Sequence, residues 1–435
     1  MQDILARYFQ VAERGSTVRT EILAGCTTFL TMAYIVFVNP AILADAGMDH
    51  GAVFVATCIA SAIATAIMAL YANYPLALAP GMGLNAYFAY GVVLGLGYTW
   101  QVALGAVFLS GVIFLILSVL PIREYIINSI PRSLKMAISA GIGLFLGIIA
   151  LKNAGIVVDH PATLVTLGDL TGPGAILACI GFVVMVALEQ RRVPGAIIIT
   201  ILLVTAIGVA LGVSPRGGIV SMPPSLAPTF LQLDIAGALE IGFLTIVFAF
   251  LFVDLFDNAG TLVGVAHRAG LLDKEGRLPG VGRVLVADAG APMIGAVLGT
   301  STVTSYVESA AGVKVGGRTG LTALVVALLF LAALFFAPLA GTVPAYATAP
   351  ALFYVACLMT RGLTEIDWDD ATEYAPAVVT AVTMPLTFSI ANGIALGFIT
   401  YAAIKLLSGR YRDISLAVAI LAIAFVAKFA FIQGG

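Results

Sequence analysis

Charge is what this sequence has least of. Of its 435 residues only 21 are Lys or Arg and 23 are Asp or Glu, one residue in ten, and the net charge is -2. A soluble domain carries about 25% charged residues, so a water-facing globule is excluded. A nucleic-acid binder is excluded too, because no basic patch exists to neutralise phosphates. Histidine is nearly missing: His50, His160 and His267 fall in loops or at the ends of apolar runs, which leaves carboxylates to carry protons within those runs. The four cysteines, Cys26, Cys58, Cys179 and Cys357, sit inside apolar runs without CxxC spacing and read as packing residues. No GxxxxGK[ST] loop and no HExxH motif occur, which removes a nucleotide-hydrolysing motor and an intramembrane metalloprotease. A cleavable signal is not expected either, since the first apolar run leads into further runs and not into a secreted domain.

What the chain has instead is apolar surface, 61% of its residues, in runs long enough to cross a bilayer. Seven runs extend from Ile22 to Val213. A connection holding Pro223, Pro224 and Pro228 follows, and further runs continue from Ile235 to Phe431. The stretch from Ala375 to Leu407, with Pro376, Pro385 and an Asn392-Gly393 pair, reads as one kinked span or two short ones. The count is thirteen to fifteen, and about fourteen spans are adopted. Arg7, Arg14 and Arg19 precede the first run and place the N-terminus in the cytoplasm of a multi-pass plasma-membrane protein. Arg132, Lys135, Arg191 and Arg192 fall on the same side, while Asp45, Asp49, Asp159 and Asp169 fall outside.

Seven runs, a break and about seven more indicate a duplication, and an odd number per half sets the halves in opposite orientations. Corresponding positions carry similar interruptions. The third run opens P-L-A-L-A-P-G-M-G-L-N-A-Y-F-A-Y from Pro75 to Tyr90, and the tenth is G-T-S-T-V-T-S-Y-V-E-S-A-A-G-V from Gly299 to Val313. Matched interruptions of this kind point to a substrate site at the bilayer midplane.

The eighth run supplies the strongest chemical signal, L-F-V-D-L-F-D-N-A-G-T from Leu251 to Thr261. On a helix Asp254, Asp257, Asn258 and Thr261 share one face. A carboxylate at mid-membrane depth costs roughly 2.5 to 3.5 kcal/mol, so such acids mark binding or proton sites. Glu308 is a third. Desolvation and mutual repulsion favour their protonated forms, which suits proton coupling by Asp254, Asp257 and Glu308. Asn85 offers a donor and an acceptor together, which fits a purine edge and equally fits the freed backbone of a broken span. Phe88 and Tyr306 have rings able to stack on a flat base, though buried aromatics also serve as packing. Asp288, beside Gly290 and Pro292, reads equally as a structural bond to freed backbone.

These blocks, with R-G-S-T-V-R-T-E-I-L-A-G-C-T-T-F-L-T-M-A-Y-I-V-F-V-N-P (Arg14 to Pro40) and M-P-L-T-F-S-I-A-N-G-I-A-L-G-F (Met384 to Phe398), resemble the AzgA-like adenine/guanine/hypoxanthine permeases of the nucleobase:cation symporter superfamily. The resemblance covers nearly the whole chain. It implies an all-α polytopic fold of two inverted seven-span repeats, with short strands in interrupted spans 3 and 10. It further implies core spans in residues 1–120 and 236–340 and gate spans in residues 121–235 and 341–435. Carried over, the substrate residues are Asp257, Glu308, Asn85, Phe88, Tyr306, Thr261 and Gly83, with Asp257 favoured over Asp254 as principal ligand. The activity implied is proton-coupled import of purine bases by alternating access. The implied partners are a purine base, a proton and the lipid bilayer, with a homodimer as an option, and neither an enzymatic activity nor a cofactor is expected. A uracil, xanthine or other small-solute carrier of the same fold, and a membrane-embedded enzyme, stand as alternatives.

Overall fold

The computed structural model describes residues 2–119, 129–241, 246–268 and 281–431. Helices dominate it. Seven helical stretches among the described residues are long and apolar enough to cross a membrane: Val18–Asp45, His50–Ala72, Trp100–Val119, Arg132–Asn153, Pro173–Gln190, Gly320–Thr342 and Ile390–Leu407. Shorter apolar helices, Met82–Gly95, Ala196–Ala210 and Leu416–Ala427, accompany them.

The first run is a pair of helices, α1 (Val18–Met32) and α2 (Ile35–Asp45), where the apolar pattern alone reads as one. Thr17 starts α1 by accepting the N–H of Thr20. At the junction the ladder tightens to three-residue spacing, with Val36 N–H on Ala33 O (3.2 Å) and Phe37 N–H on Tyr34 O (3.1 Å). After α3 (His50–Ile67) the chain turns into a three-residue strand, β1 (Leu78–Pro80), then α4 (Met82–Ala86), whose turns widen over Tyr87–Gly95. Next come α5 (Trp100–Val119), α6 (Arg132–Asn153), a hairpin of β2 (Val157–His160) and β3 (Leu164–Leu167), α7 (Pro173–Gln190) and α8 (Ala196–Ala210). That hairpin lies in a segment read from sequence as a plain outer loop. Its turn places Leu164 at a positive φ of 68°.

The second half repeats the order. It contains α9 (Phe248–Arg268), α10 (Val281–Leu298), β4 (Val303–Ser305), α11 (Ser309–Val315), α12 (Gly320–Ala333), α13 (Ala345–Thr360), α14 (Ala371–Leu386), α15 (Ile390–Leu407) and α16 (Leu416–Phe431). The ambiguous stretch ending at Leu407 is therefore two helices. The break falls at Phe388, whose φ of 48° ends α14, and Ser389 caps α15 by accepting the N–H of Asn392 at 3.2 Å. The Asn392-Gly393 pair lies inside the first turn of α15.

The two halves meet at β1 and β4, which pair antiparallel: Leu78 opposite Ser305, Ala79 opposite Thr304, Pro80 opposite Val303. Antiparallel pairing of equivalent strands agrees with halves that run in opposite orientations. A two-stranded sheet inside a membrane protein leaves edge N–H and C=O groups that lipid cannot satisfy. Side chains satisfy them instead. The Thr65 hydroxyl bonds both Leu78 N–H (2.9 Å) and Leu78 O (3.0 Å), Ser309 accepts Ala77 N–H (3.0 Å), and Asn258 accepts Ser305 N–H (3.2 Å).

Around this sheet the halves interleave, α11 and α12 against α1, α12 and α10 against α3, and α10 against α5. The remaining helices form their own group, in which α13 and α14 flank α6 and α15 packs on α14. Glu21, fully buried in the first turn of α1, joins the halves at one end. Its carboxylate accepts Arg318 N–H (2.9 Å), Thr319 N–H (3.2 Å), Thr322 N–H (3.3 Å) and the Thr322 hydroxyl (2.6 Å), so an acid from the first repeat caps α12 of the second.

Candidate functional site

Glu308 sits where β4 has ended and α11 begins, three residues past Ser305. It is half-buried, and its Oε1 accepts a hydrogen bond of 2.9 Å from the hydroxyl of Tyr34, the buried residue at the α1–α2 junction. The break in the first span thus delivers a donor to the acid of the tenth. Asn85 occupies the matching position after β1, on α4. It is fully buried, its Oδ1 accepts from the Ser301 hydroxyl, and its Nδ2 has no hydrogen-bond partner among the described residues. A buried amide donor without a partner costs about 1–3 kcal/mol. A ligand acceptor would remove that cost.

The helix carrying the acidic stripe braces the sheet from the other side. Asn258 donates to Asp254 Oδ1 at 2.8 Å, as their spacing of four residues on α9 allows. Its own Oδ1 accepts the Thr304 hydroxyl (2.7 Å) and Ser305 N–H. The Ser305 hydroxyl donates to Asp288 Oδ1 at 2.6 Å. Two buried acids, Asp254 through Asn258 and Asp288 directly, therefore hold Thr304 and Ser305 of β4 in place. Asp288, which the sequence left open, acts on the strand. Asp257 lies on α9, but its side chain falls outside the described residues.

The other residues singled out from sequence are placed differently. The Tyr306 hydroxyl donates to Pro80 O, so this side chain ties one strand to the other. Phe88 is fully buried, its ring 6.5 Å from that of Phe250 while Tyr87 lies edge-on to the same ring at 4.9 Å. Thr261 is buried on α9. At Gly83 an added Cβ would lie 2.5 Å from Ile142 Cγ2, so the missing side chain is what lets α4 approach α6. Asn85, Glu308, Tyr306, Asp254 and Asn258 thus gather about the β1–β4 pair, whereas Phe88 and Gly83 face packing contacts. Tyr34, Ser301, Thr304, Ser305 and Thr65 went unrecognised in the sequence. The density of hydroxyls in G-T-S-T-V-T-S was the available signal, but nothing local told which strand edge each would satisfy. No group of three or more His, Cys, Asp or Glu able to hold a metal occurs among the described residues.

A separate charged cluster lies among the other group of helices. Lys405, 2% exposed on α15, pairs with Glu373 at 2.6 Å and with Asp413 at 3.5 Å. The Ser133 hydroxyl of α6 also donates to Glu373. In the loop ahead of α14, Asp370 is held at about 2, below its ordinary 3.8, by the Thr372 hydroxyl and N–H and by Arg410.

Comparison with known proteins places this architecture. The family model described as "Permease family" (Xan_ur_permease) matches residues 19–396. The chain is 49% identical to the adenine permease AdeP of Escherichia coli, over 99% of this chain and 97% of that protein. It is 46% identical to the guanine/hypoxanthine permease PbuG of Bacillus subtilis, over 98% and 99%. Among solved structures it resembles the transmembrane domain of the cyanobacterial bicarbonate transporter BicA, with TM-score 0.65 at 17% identity, covering 87% of this chain and 96% of that one. It also resembles the murine anion transporter Slc26a9 in its inward-facing state, with TM-score 0.66 at 12% identity, covering 89% and 68%. At those identities the likeness is one of fold, the inverted-repeat fold of membrane transporters. With broken spans of opposite orientation joined at a buried sheet, and full-length relatives that are permeases, this chain belongs to the permease family and is a multi-pass membrane transporter.

Proposed function

We propose that this transporter imports purine nucleobases across the plasma membrane together with protons. The observation that carries the reading is that the paired strands β1 and β4 are each followed by a polar group: β4 by a half-buried carboxylate, Glu308, and β1 by a buried amide donor without a partner among the described residues, Asn85 Nδ2. A carboxylate accepts ring and exocyclic N–H groups, and the amide donates to a ring nitrogen or carbonyl. A purine edge offers both. The relatives named as adenine and guanine/hypoxanthine permeases support the same substrate class.

In this scheme Asp257, on the sheet-facing helix, and Glu308 share base binding and proton coupling. The chain forms fourteen spans with a cytoplasmic N-terminus. The spans of residues 1–120 and 236–340 carry the loaded site and rock against the rest. Protonation of an acid from outside removes an uncompensated intramembrane charge and lets the loaded site move. Deprotonation inside resets it.

The test is uptake of labelled adenine, guanine and hypoxanthine into vesicles holding this protein. Uptake should collapse with the proton gradient, and Asp257→Asn and Glu308→Gln should each abolish it while the protein still inserts. Uptake indifferent to the gradient removes the coupling, and full activity in both variants removes the site.

A further inference from the structure

We infer that Ser301 is a positioning residue for the substrate: it holds the Asn85 amide turned with Nδ2 towards the ligand, and the group bound there is a ring-nitrogen acceptor of the base. The inference rests on the proposed binding of a purine at Asn85. The placement begins in the sheet. Beyond the last β1–β4 pair, Pro80 opposite Val303, Gly81 N–H bonds Thr302 O at 3.0 Å. That bond brings the residues just before β4 beside the start of α4, where Asn85 N–H closes a helical turn on Gly81 O at 2.8 Å. A Cβ at Gly81 would lie 2.8 Å from Thr304 Cγ2, so the glycine lets the two segments come this close. Ser301, fully buried, donates its hydroxyl to Asn85 Oδ1 across 216 positions of sequence. Its neighbours serve the frame instead: Thr300 accepts from Asn39, and Thr304 and Ser305 donate to Asn258 and Asp288.

A carboxamide is nearly symmetric in shape but not in chemistry. Turned about its last bond, it exchanges an acceptor for a pair of donors. With Oδ1 engaged by Ser301, the end left over is Nδ2, which has no partner among the described residues. A buried donor of this kind calls for an acceptor with an in-plane lone pair. Adenine has no carbonyl, so the acceptor that adenine, guanine and hypoxanthine share is a ring nitrogen, at position 3 or 7 of the base. Without the Ser301 hydroxyl, Oδ1 loses its donor, and the amide is free to present either end.

The experiment measures how well adenine or hypoxanthine, and the 3-deaza and 7-deaza analogues of the same base, compete with uptake of the labelled base in the wild type and in Ser301→Ala. Each analogue replaces one ring nitrogen by C–H and keeps the shape of the base. In the wild type, the analogue lacking the bonded nitrogen should compete about tenfold less well than its parent. In Ser301→Ala that ratio should fall below about threefold, because the donor is no longer held in place. A ratio of affinities does not change with the amount or the stability of the transporter, so a serine that only supports the fold would leave it unmoved. If Ser301→Ala does not insert, Ser301→Cys, close in size and a weaker donor, takes its place. A wild type that discriminates against neither analogue, or a ratio that the substitution leaves unchanged, overturns the inference while purine import stands. A wild type that takes up no purine removes both.

Discussion

Glu21 offers the sharpest quantitative test of how the two repeats are held together. Replacing it by alanine removes the acceptor for three backbone N–H groups and the Thr322 hydroxyl, all at the start of α12. Each buried donor left without a partner costs about 1–3 kcal/mol, and loss of a helix cap about 0.5–2 kcal/mol. The terms are not additive, because the first turn of α12 relaxes once its cap is gone. A net loss of about 3–5 kcal/mol is expected for Glu21→Ala. Glu21→Gln keeps one acceptor oxygen and should lose about 1–2 kcal/mol. In thermal unfolding of the detergent-purified protein, followed by the decay of the monodisperse peak, the alanine variant should melt about 5–10 °C below the wild type. The glutamine variant should lie between. If Glu21→Ala melts within about 1 °C of the wild type, the carboxylate does not cap α12, and the account of how α1 joins α12 is wrong.

Three further outcomes follow from the same geometry. Asn258→Ala removes the link between Asp254 and β4 and should reduce purine uptake at least about tenfold, a barrier change of roughly 1.4 kcal/mol, at unchanged membrane level measured by immunoblot. Lys405→Met leaves Glu373 without its cation and should cost about 3 kcal/mol in the same melting assay, while adding Glu373→Gln should recover much of the loss; equal melting of single and double variants would show that the pair is not coupled. Asp370 has a folded-state value depressed to about 2 from 3.8, so its ionisation favours the folded state above the unfolded value and that contribution fades as pH falls through about 2. Asp370→Asn should therefore melt lower than the wild type at neutral pH, and the two curves should converge with acidification towards pH 2.

The residues that carried the sequence reading were those whose type is costly in lipid. Asp254, Asp257 and Glu308 stand out in any apolar run, and the glycine- and hydroxyl-rich interruptions at Pro75 to Tyr90 and Gly299 to Val313 mark where a helix cannot continue. The strands β1 and β4 do lie in those two segments. Roles within the set were less legible. Tyr306 and Phe88 look alike as buried aromatics, yet one hydroxyl bridges the strands while the other ring is packed against Phe250. Asp254 and Asp288 differ in no local feature from a ligand, but both are engaged with the residues that hold β4. Tyr34 and Glu21 were invisible as site residues, since each acts on a partner about 300 positions away.

Local sequence thus determined that this chain crosses the membrane many times, in two oppositely oriented halves, with acids and broken helices at matching places. Those properties follow from hydropathy, periodicity and the cost of charge in lipid, which neighbouring residues set among themselves. Which acids brace a strand was decided only when β1 met β4. An unpaired strand edge must be satisfied by whatever side chain the other repeat brings to it, and that pairing exists only in three dimensions.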